Sequence, residues 1–312
     1  MTLVFFHGIE QQDKTADELL KLWIDSIRVG LDRAGSNNLL PSQNQIVAPY
    51  YGDLLARLTP VVRDEMKGIS KTRGSTRLSE EDALFPQRAP SNTFEQLLKE
   101  INHVKGGSRD QKLNESGQRT RGFKSDALGA LSKMVPIFAQ NQIVNRALKQ
   151  VAAYLDDAVL KRSILDIALS AICKGAKVAE ANNEPLIVVA HSLGTVIALE
   201  ALADFSDRHV NLLMTIGSPL SAETVASRMI PKARRWPQVV KNWVNIADPD
   251  DLVALHHSID RRNFLKHCVD KDPAAVWNIV DIKNHMDNHH GIVGYLDDPV
   301  VAQLITNNKL WL

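Results

Sequence analysis

The stretch from Pro185 to Phe205 limits what this chain can fold into more than any other. Leu186-Ile187-Val188-Val189-Ala190 is a continuous apolar run rich in β-branched residues. Such a run predicts a strand covered on both faces. Ser192-Leu193-Gly194 comes next as a sharp turn, and from Thr195 onward Val196, Leu199, Leu202 and Ala203 recur at helical spacing. A strand that passes straight into a helix brings the two backbones almost into contact. The small residues Ala190 and Gly194, two before and two after Ser192, meet that demand. A serine on such a turn stands clear of the sheet, where its hydroxyl reaches a base and a substrate. The plainer alternative is a serine that only caps the helix.

The small-x-Ser-x-small frame, Ala190-His191-Ser192-Leu193-Gly194, is the strand-to-helix nucleophile turn usually written G-x-S-x-G, with alanine in the first glycine position. On these residues the chain resembles the α/β-hydrolases, in their lipase and esterase branch. The likeness covers the first stretch of the chain and most of the part after Leu186. The resemblance implies a mostly parallel sheet, a Ser-His-Asp triad and a backbone oxyanion hole. Cys173 and Cys268 lie outside any such frame, so a nucleophilic role for either is set aside.

Read in order, the chain opens with the strand Thr2 to Phe6, and His7-Gly8-Ile9 stands at its carboxyl end, where open parallel sheets place their sites. In the resembled family a His-Gly pair here supplies one oxyanion donor, which assigns the backbone N–H of Ile9; the second would be the N–H of Leu193. Thr15 and Glu18 form a capping box for a helix with Leu19, Leu20, Trp23, Ile27 and Leu31 on one face. Gln45 to Tyr51 predicts a second strand, with Tyr50 and Tyr51 at the core edge and Asp53 capping the next helix. Residues 59–150 are expected to form a helical cap inserted into a single domain spanning 1–312, with a mobile polar loop near 105–124. Within it Phe94, Leu97, Leu98 and Ile101 suggest a short helix, and Leu128, Leu131, Val135 and Phe138 another, split at Pro136. Later strands are expected at 210–216, 243–247 and 276–282, and an amphipathic helix at the tail. Alternating strands and helices give an α/β fold with a sheet of about six strands flanked by helices.

A serine hydroxyl is a poor nucleophile until a base removes its proton, and the base needs a carboxylate to fix its tautomer. The resemblance implies the chain order Ser, acid, His, with both partners after late strands. Asp251-Leu252-Val253-Ala254 resembles the Asp-x-Val-Pro stretch of lipases, which favours Asp251 as the acid, with Asp250 and Asp248 as alternates. His290, just before Gly291 and the tail helix, is the preferred base and His289 its alternate. His191 is expected to pack beside the strand.

With 37 basic and 36 acidic residues, the net charge of +1 argues against nucleic-acid binding as the main business of the chain. No apolar run approaches membrane-spanning length, the N-terminus lacks the pattern of a secretory signal, and two cysteines make no disulfide framework. A cytoplasmic location is therefore expected, and a reaction that needs no cofactor. The expected partner is a small-molecule acyl or lipid ester, with peripheral lipid contact through the cap. Two other classes stay open: a hydrolase-shaped scaffold that only binds, and a metal-dependent hydrolase built on His285-x-Asp287-x-His289-His290. The residues give no oligomeric state.

Overall fold

The structure is a computed structural model that describes residues 1–9, 11, 14–57, 92–114, 142–267, 276–287 and 289–307. The described strands are β1 (Thr2–Phe6), β2 (Ile46–Val47), β3 (Leu186–His191), β4 (Val210–Ile216), β5 (Val240–Ile246) and β6 (Trp277–Ile279). They form one six-stranded sheet in the order β2-β1-β3-β4-β5-β6. Every pairing is parallel, with Val4 beside Val188, Val188 beside Leu213 and Leu213 beside Trp243. The central strands β1, β3 and β4 are buried along their whole length, which is why their sequences are predominantly apolar on both faces.

The period-two alternation of these strands feeds two separate cores. Leu3, Phe5, Ile187, Val189, Leu212 and Met214 face α1 (Ala16–Arg33) and the two tail helices, α7 (Ile292–Leu296) and α8 (Pro299–Thr306). Val4, Phe6, Val188, Ala190 and Leu213 face the opposite way, toward α2 (Gly52–Arg57), α3 (Asn92–Asn114), α4 (Gln142–Asp156), α5 (Ala158–Ala181) and α6 (Leu193–Leu202). Helices on both faces of a parallel sheet make this the expected α/β fold. Helix α6 runs through the larger core and is buried at every position, Glu200 included.

Glu200 is held by three partners. Lys161 Nζ on α5 lies 2.8 Å from Oε1, the Tyr154 hydroxyl on α4 donates to Oε2 at 2.6 Å, and the Ile230 N–H donates to Oε1 at 2.7 Å. Such a set of partners gives a buried carboxylate the hydrogen bonds that water would otherwise supply. The cluster ties α4 and α5 to α6, the helix that starts after Ser192.

The capping box at Thr15 and Glu18 is present, with Glu18 N–H donating to Thr15 Oγ1 and Thr15 N–H donating to Glu18 Oε2. Several boundaries differ from expectation. Strand β2 keeps only two residues, because a 3-10 turn (Gln43–Gln45) precedes it and Pro49 has no N–H for the ladder. Strand β6 is three residues long, and the tail forms two helices broken where Asp298 caps Pro299–Thr306. Helix α3 runs on through Asn114, so the backbone of 105–114 is helical where a loop was expected. That tract is rich in Lys, Arg and Gln, which are good helix formers, and they carry the backbone past Gly106-Gly107. The rest of the expected loop, the helix about Pro136 and Cys268 lie outside the described residues. Among the described residues no helix is long and apolar enough to cross a membrane.

Candidate active site

The candidate residues stand at the carboxyl ends of five adjacent strands: His7 to Ile9 after β1, Ser192 after β3, Gly217 after β4, Asp248 to Asp251 after β5, and His289-His290 after β6. Ser192 has φ 54° and ψ −129°, a conformation sparsely populated by L-residues. Its N–H donates to the Ile216 carbonyl at 2.9 Å and its carbonyl accepts from Thr195 N–H at 2.9 Å, so the turn is fixed on both sides. The crowding inferred from the sequence is real. A Cβ on Gly194 would lie 2.5 Å from the Phe6 carbonyl oxygen and 2.6 Å from that of His7.

Ser192 Oγ lies 2.8 Å from His290 Nε2, and His290 Nδ1 lies 2.8 Å and 3.0 Å from the two oxygens of Asp251. An ionised carboxylate only accepts, so Nδ1 carries the imidazole proton and Nε2 is free to accept from the serine hydroxyl. All three residues are buried. Burial by itself would raise the Asp251 carboxyl. The His290 ring, the Tyr295 hydroxyl and the Val253 N–H outweigh it and hold the group below the usual carboxylate range.

Asp251 is the aspartate of its loop that meets His290. Asp248 is equally buried but turns to the backbone, accepting from Asn284 N–H and Asp250 N–H at 2.6 Å each, and its nearest imidazole is His289 Nδ1 at 3.4 Å. Asp250 is exposed. His289 has φ 52° and closes a turn through its N–H to the Met286 carbonyl, which delivers His290 toward Ser192.

The residues of the alternative metal cluster diverge. His285 bonds Asp297 at 2.8 Å and His290 is taken by Ser192 and Asp251. Among the described residues Asp248, Asp250 and His289 do bring one ligand atom each within 4.8 Å of one another. Asp248 also accepts one backbone N–H on each of its oxygens.

Residues 139–267 match the family model described as a PGAP1-like alpha/beta domain. The matched stretch is less than half of the chain; it carries Ser192 and Asp251 and stops short of His290. No curated protein and no solved structure matches. The match agrees with an α/β-hydrolase-like sheet.

Around this line stand residues whose part the sequence did not disclose. Tyr295 accepts from Asp248 N–H at 2.9 Å and donates to Asp251 Oδ2 at 2.8 Å, bracing the acid loop from the tail helix. Burial, with the Asp251 charge beside it, raises the Tyr295 phenol far above its ordinary value, so it stays a donor. His191 places Nε2 2.8 Å from the His290 carbonyl oxygen, to which it donates. Gly217 has φ 54°, and a Cβ there would lie 2.9 Å from Asp251 Oδ2 and 3.2 Å from His290. A glycine at a strand end in register with the Ser192 turn is the one signal that could have found it.

Gly8 packs against Ser192 so closely that a Cβ would lie 2.8 Å from Ser192 Cβ. His7 Nε2 accepts from Tyr51 N–H at 3.1 Å, which leaves the ring proton on Nδ1 to donate to the Gly8 carbonyl at 2.7 Å. A peptide unit is planar and trans, so anchoring the Gly8 carbonyl sends the Ile9 N–H to the opposite side. Leu193 is the first residue of α6, where an N–H has no partner within its own helix.

Proposed function

We propose that the chain is a serine hydrolase acting on a carboxylic ester with an acyl or lipid-like acid part. Ser192 Oγ is the nucleophile, His290 the general base and acid, and Asp251 the group that orients His290 and stabilises its charged form. The N–H groups of Ile9 and Leu193 receive the oxyanion. His290 Nε2 takes the serine proton as Oγ bonds to the carbonyl carbon, then gives it to the departing alcohol oxygen as the tetrahedral adduct collapses. Water, deprotonated by the same nitrogen, releases the acid from the acyl-enzyme.

The observation that carries this reading is the continuous line of short contacts from Ser192 Oγ through His290 to Asp251, at 2.8 Å on each side of the ring. Such geometry, on a strained turn at a strand end, is that of an activated nucleophile. The test is covalent labelling by a fluorophosphonate, with turnover of a short p-nitrophenyl ester measured beside it. Labelling is expected at Ser192, lost in Ser192→Ala, with ester turnover down about 10⁴-fold or more and unaffected by a chelator. A folded wild-type protein that takes no label would sink the proposal.

A further inference from the structure

We propose that Asn284 is a positioning residue for the base: its side-chain amide closes the loop that carries His290 and so sets where Nε2 stands against Ser192 Oγ. The proposal rests on the serine-hydrolase reading above. It concerns how the base is held, not which groups react.

From 280 to 291 the described residues form neither helix nor strand. A base on such a segment has no ladder of backbone bonds to fix it, so side chains have to supply the ties. Asn284 is buried near the start of the loop and uses both ends of its amide. Oδ1 accepts from the Met286 N–H at 3.0 Å, and Nδ2 donates to the Gly291 carbonyl at 2.8 Å. Turned over, the amide would set donor against donor and acceptor against acceptor, so only this orientation serves. Asn284 and Gly291 are seven positions apart, a span that extended chain would stretch to about 23 Å. The amide draws those ends together. Inside the loop the Met286 carbonyl accepts from the His289 N–H at 2.8 Å.

Gly291 directly follows His290. His191 holds the His290 carbonyl, and Asn284 holds the next carbonyl along the chain. Two successive fixed carbonyls leave the backbone under the imidazole little rotation. The Asn284 N–H points the other way, to Asp248 Oδ2 at 2.6 Å, in the loop that bears Asp251. These three bonds end on the loops of the base and the acid, so the residue acts on the site rather than on the sheet. Gly294 on α7 faces the amide, and a Cβ there would collide with Asn284 Oδ1 and Cγ. Glycine weakens a helix interior; here it makes room for the amide.

The test uses the full chain with Asn284→Ala, with Gly294→Ala, which keeps the amide but pushes it out of place, and with both together. Asn242→Ala is the control, since Asn242 donates to the Asn211 carbonyl at 2.9 Å near the amino ends of β5 and β4, away from the site. Three quantities are read: kcat and KM on a short p-nitrophenyl ester, the rate of fluorophosphonate labelling, and the far-downfield NMR signal of the His290 Nδ1 proton. That signal needs no chemistry and is assigned by its loss in Asp251→Asn. Each single site variant should lower kcat and the labelling rate about 10- to 100-fold, the order that an ångström of misplacement costs. KM should stay nearly unchanged, and the signal should shift or broaden. The double variant should fall no further than Asn284→Ala, because both changes act through one contact. Asn242→Ala should keep both kcat and the signal. Should Asn284→Ala not fold, Gly294→Ala carries the test. Wild-type kcat in the folded variants, additive losses in the double variant, or an equal loss in Asn242→Ala overturns the inference and leaves the serine reading standing. A wild type that shows the signal but takes no label and turns over no ester sinks the serine reading alone. The signal then decides the inference: displaced in Gly294→Ala it supports the role of Asn284, and unmoved it overturns it.

Discussion

Tyr51 grips His7 at two points: its hydroxyl donates to the His7 carbonyl oxygen, and its backbone N–H donates to His7 Nε2 at 3.1 Å, with the two rings stacked 3.9 Å apart. His7 in turn anchors the Gly8 carbonyl, so the clamp fixes the peptide that carries the Ile9 N–H. Tyr51→Phe removes the side-chain half of the clamp and little volume. It is expected to lower kcat about tenfold, less than the loss of an oxyanion donor outright, with KM nearly unchanged. Steady-state kinetics on a short ester reads the split, and an effect confined to KM would contradict it.

Tyr295 braces Asp251 rather than the turn from His7 to Ile9. Tyr295→Phe strips Asp251 of one donor and leaves the buried Asp248 N–H without its acceptor. The expected cost is about 1–3 kcal/mol of stability, together with a lower kcat. Urea denaturation and ester turnover measured on the same protein check both halves.

Gly217 offers a comparison within the chain. Gly217→Ala places a side chain at φ 54° against Asp251 and His290, while Gly35→Ala does so at φ 58° with nothing within 4 Å. Both should lose about 1–2 kcal/mol to left-handed strain. Only the first should displace the imidazole and the carboxylate, at a cost of about 100-fold in turnover. Equal activity in the two variants would show that Gly217 does not shape the site.

Two buried imidazoles set an acid limit on stability. Burial lowers the His7 pKa to about 4, against the pull of the Gly8 carbonyl; burial and the neighbouring His290 ring lower that of His191 to about 3. The unfolded chain takes up protons at these residues below about pH 6.5 while the folded chain does not, so stability falls as pH drops from there toward 4. At pH 5 the expected loss relative to neutral pH is roughly 2 kcal/mol per ring. The Asp251 carboxyl, shifted down, gives up its contribution only below about pH 4. Urea denaturation from pH 7 to pH 5 should show this slope, and His7→Asn should reduce it by about one proton.

Much of the sheet was legible because a strand buried on both faces is apolar on both, as Leu186 to Ala190 is throughout and Val210 to Ile216 is but for Asn211 and Thr215. The edge strands were not, since β2 and β6 end where Pro49 and the turn toward Asn284 leave the ladder, and an apolar run does not record that. Three aspartates within four positions could not be ranked by spacing. What separates them is a tertiary fact, that Asn284 and Tyr295 arrive from the tail to occupy Asp248 and brace Asp251. Tyr51 was read as a core-edge aromatic, and its ring is indeed buried. Its hydroxyl and N–H serve a residue 44 positions away, a distance over which periodicity carries no information. Residues 105–114 lack an apolar repeat, so the length of α3 went unseen.

His191 precedes the proposed nucleophile in the chain and holds the carbonyl of the proposed base. Whatever shifts the strand end therefore drags the imidazole with it, and the spacing between the two reacting groups survives small distortions of the sheet. The corollary is a restriction on redesign: a histidine transplanted to another loop of this scaffold would lose that leash and would need a new one.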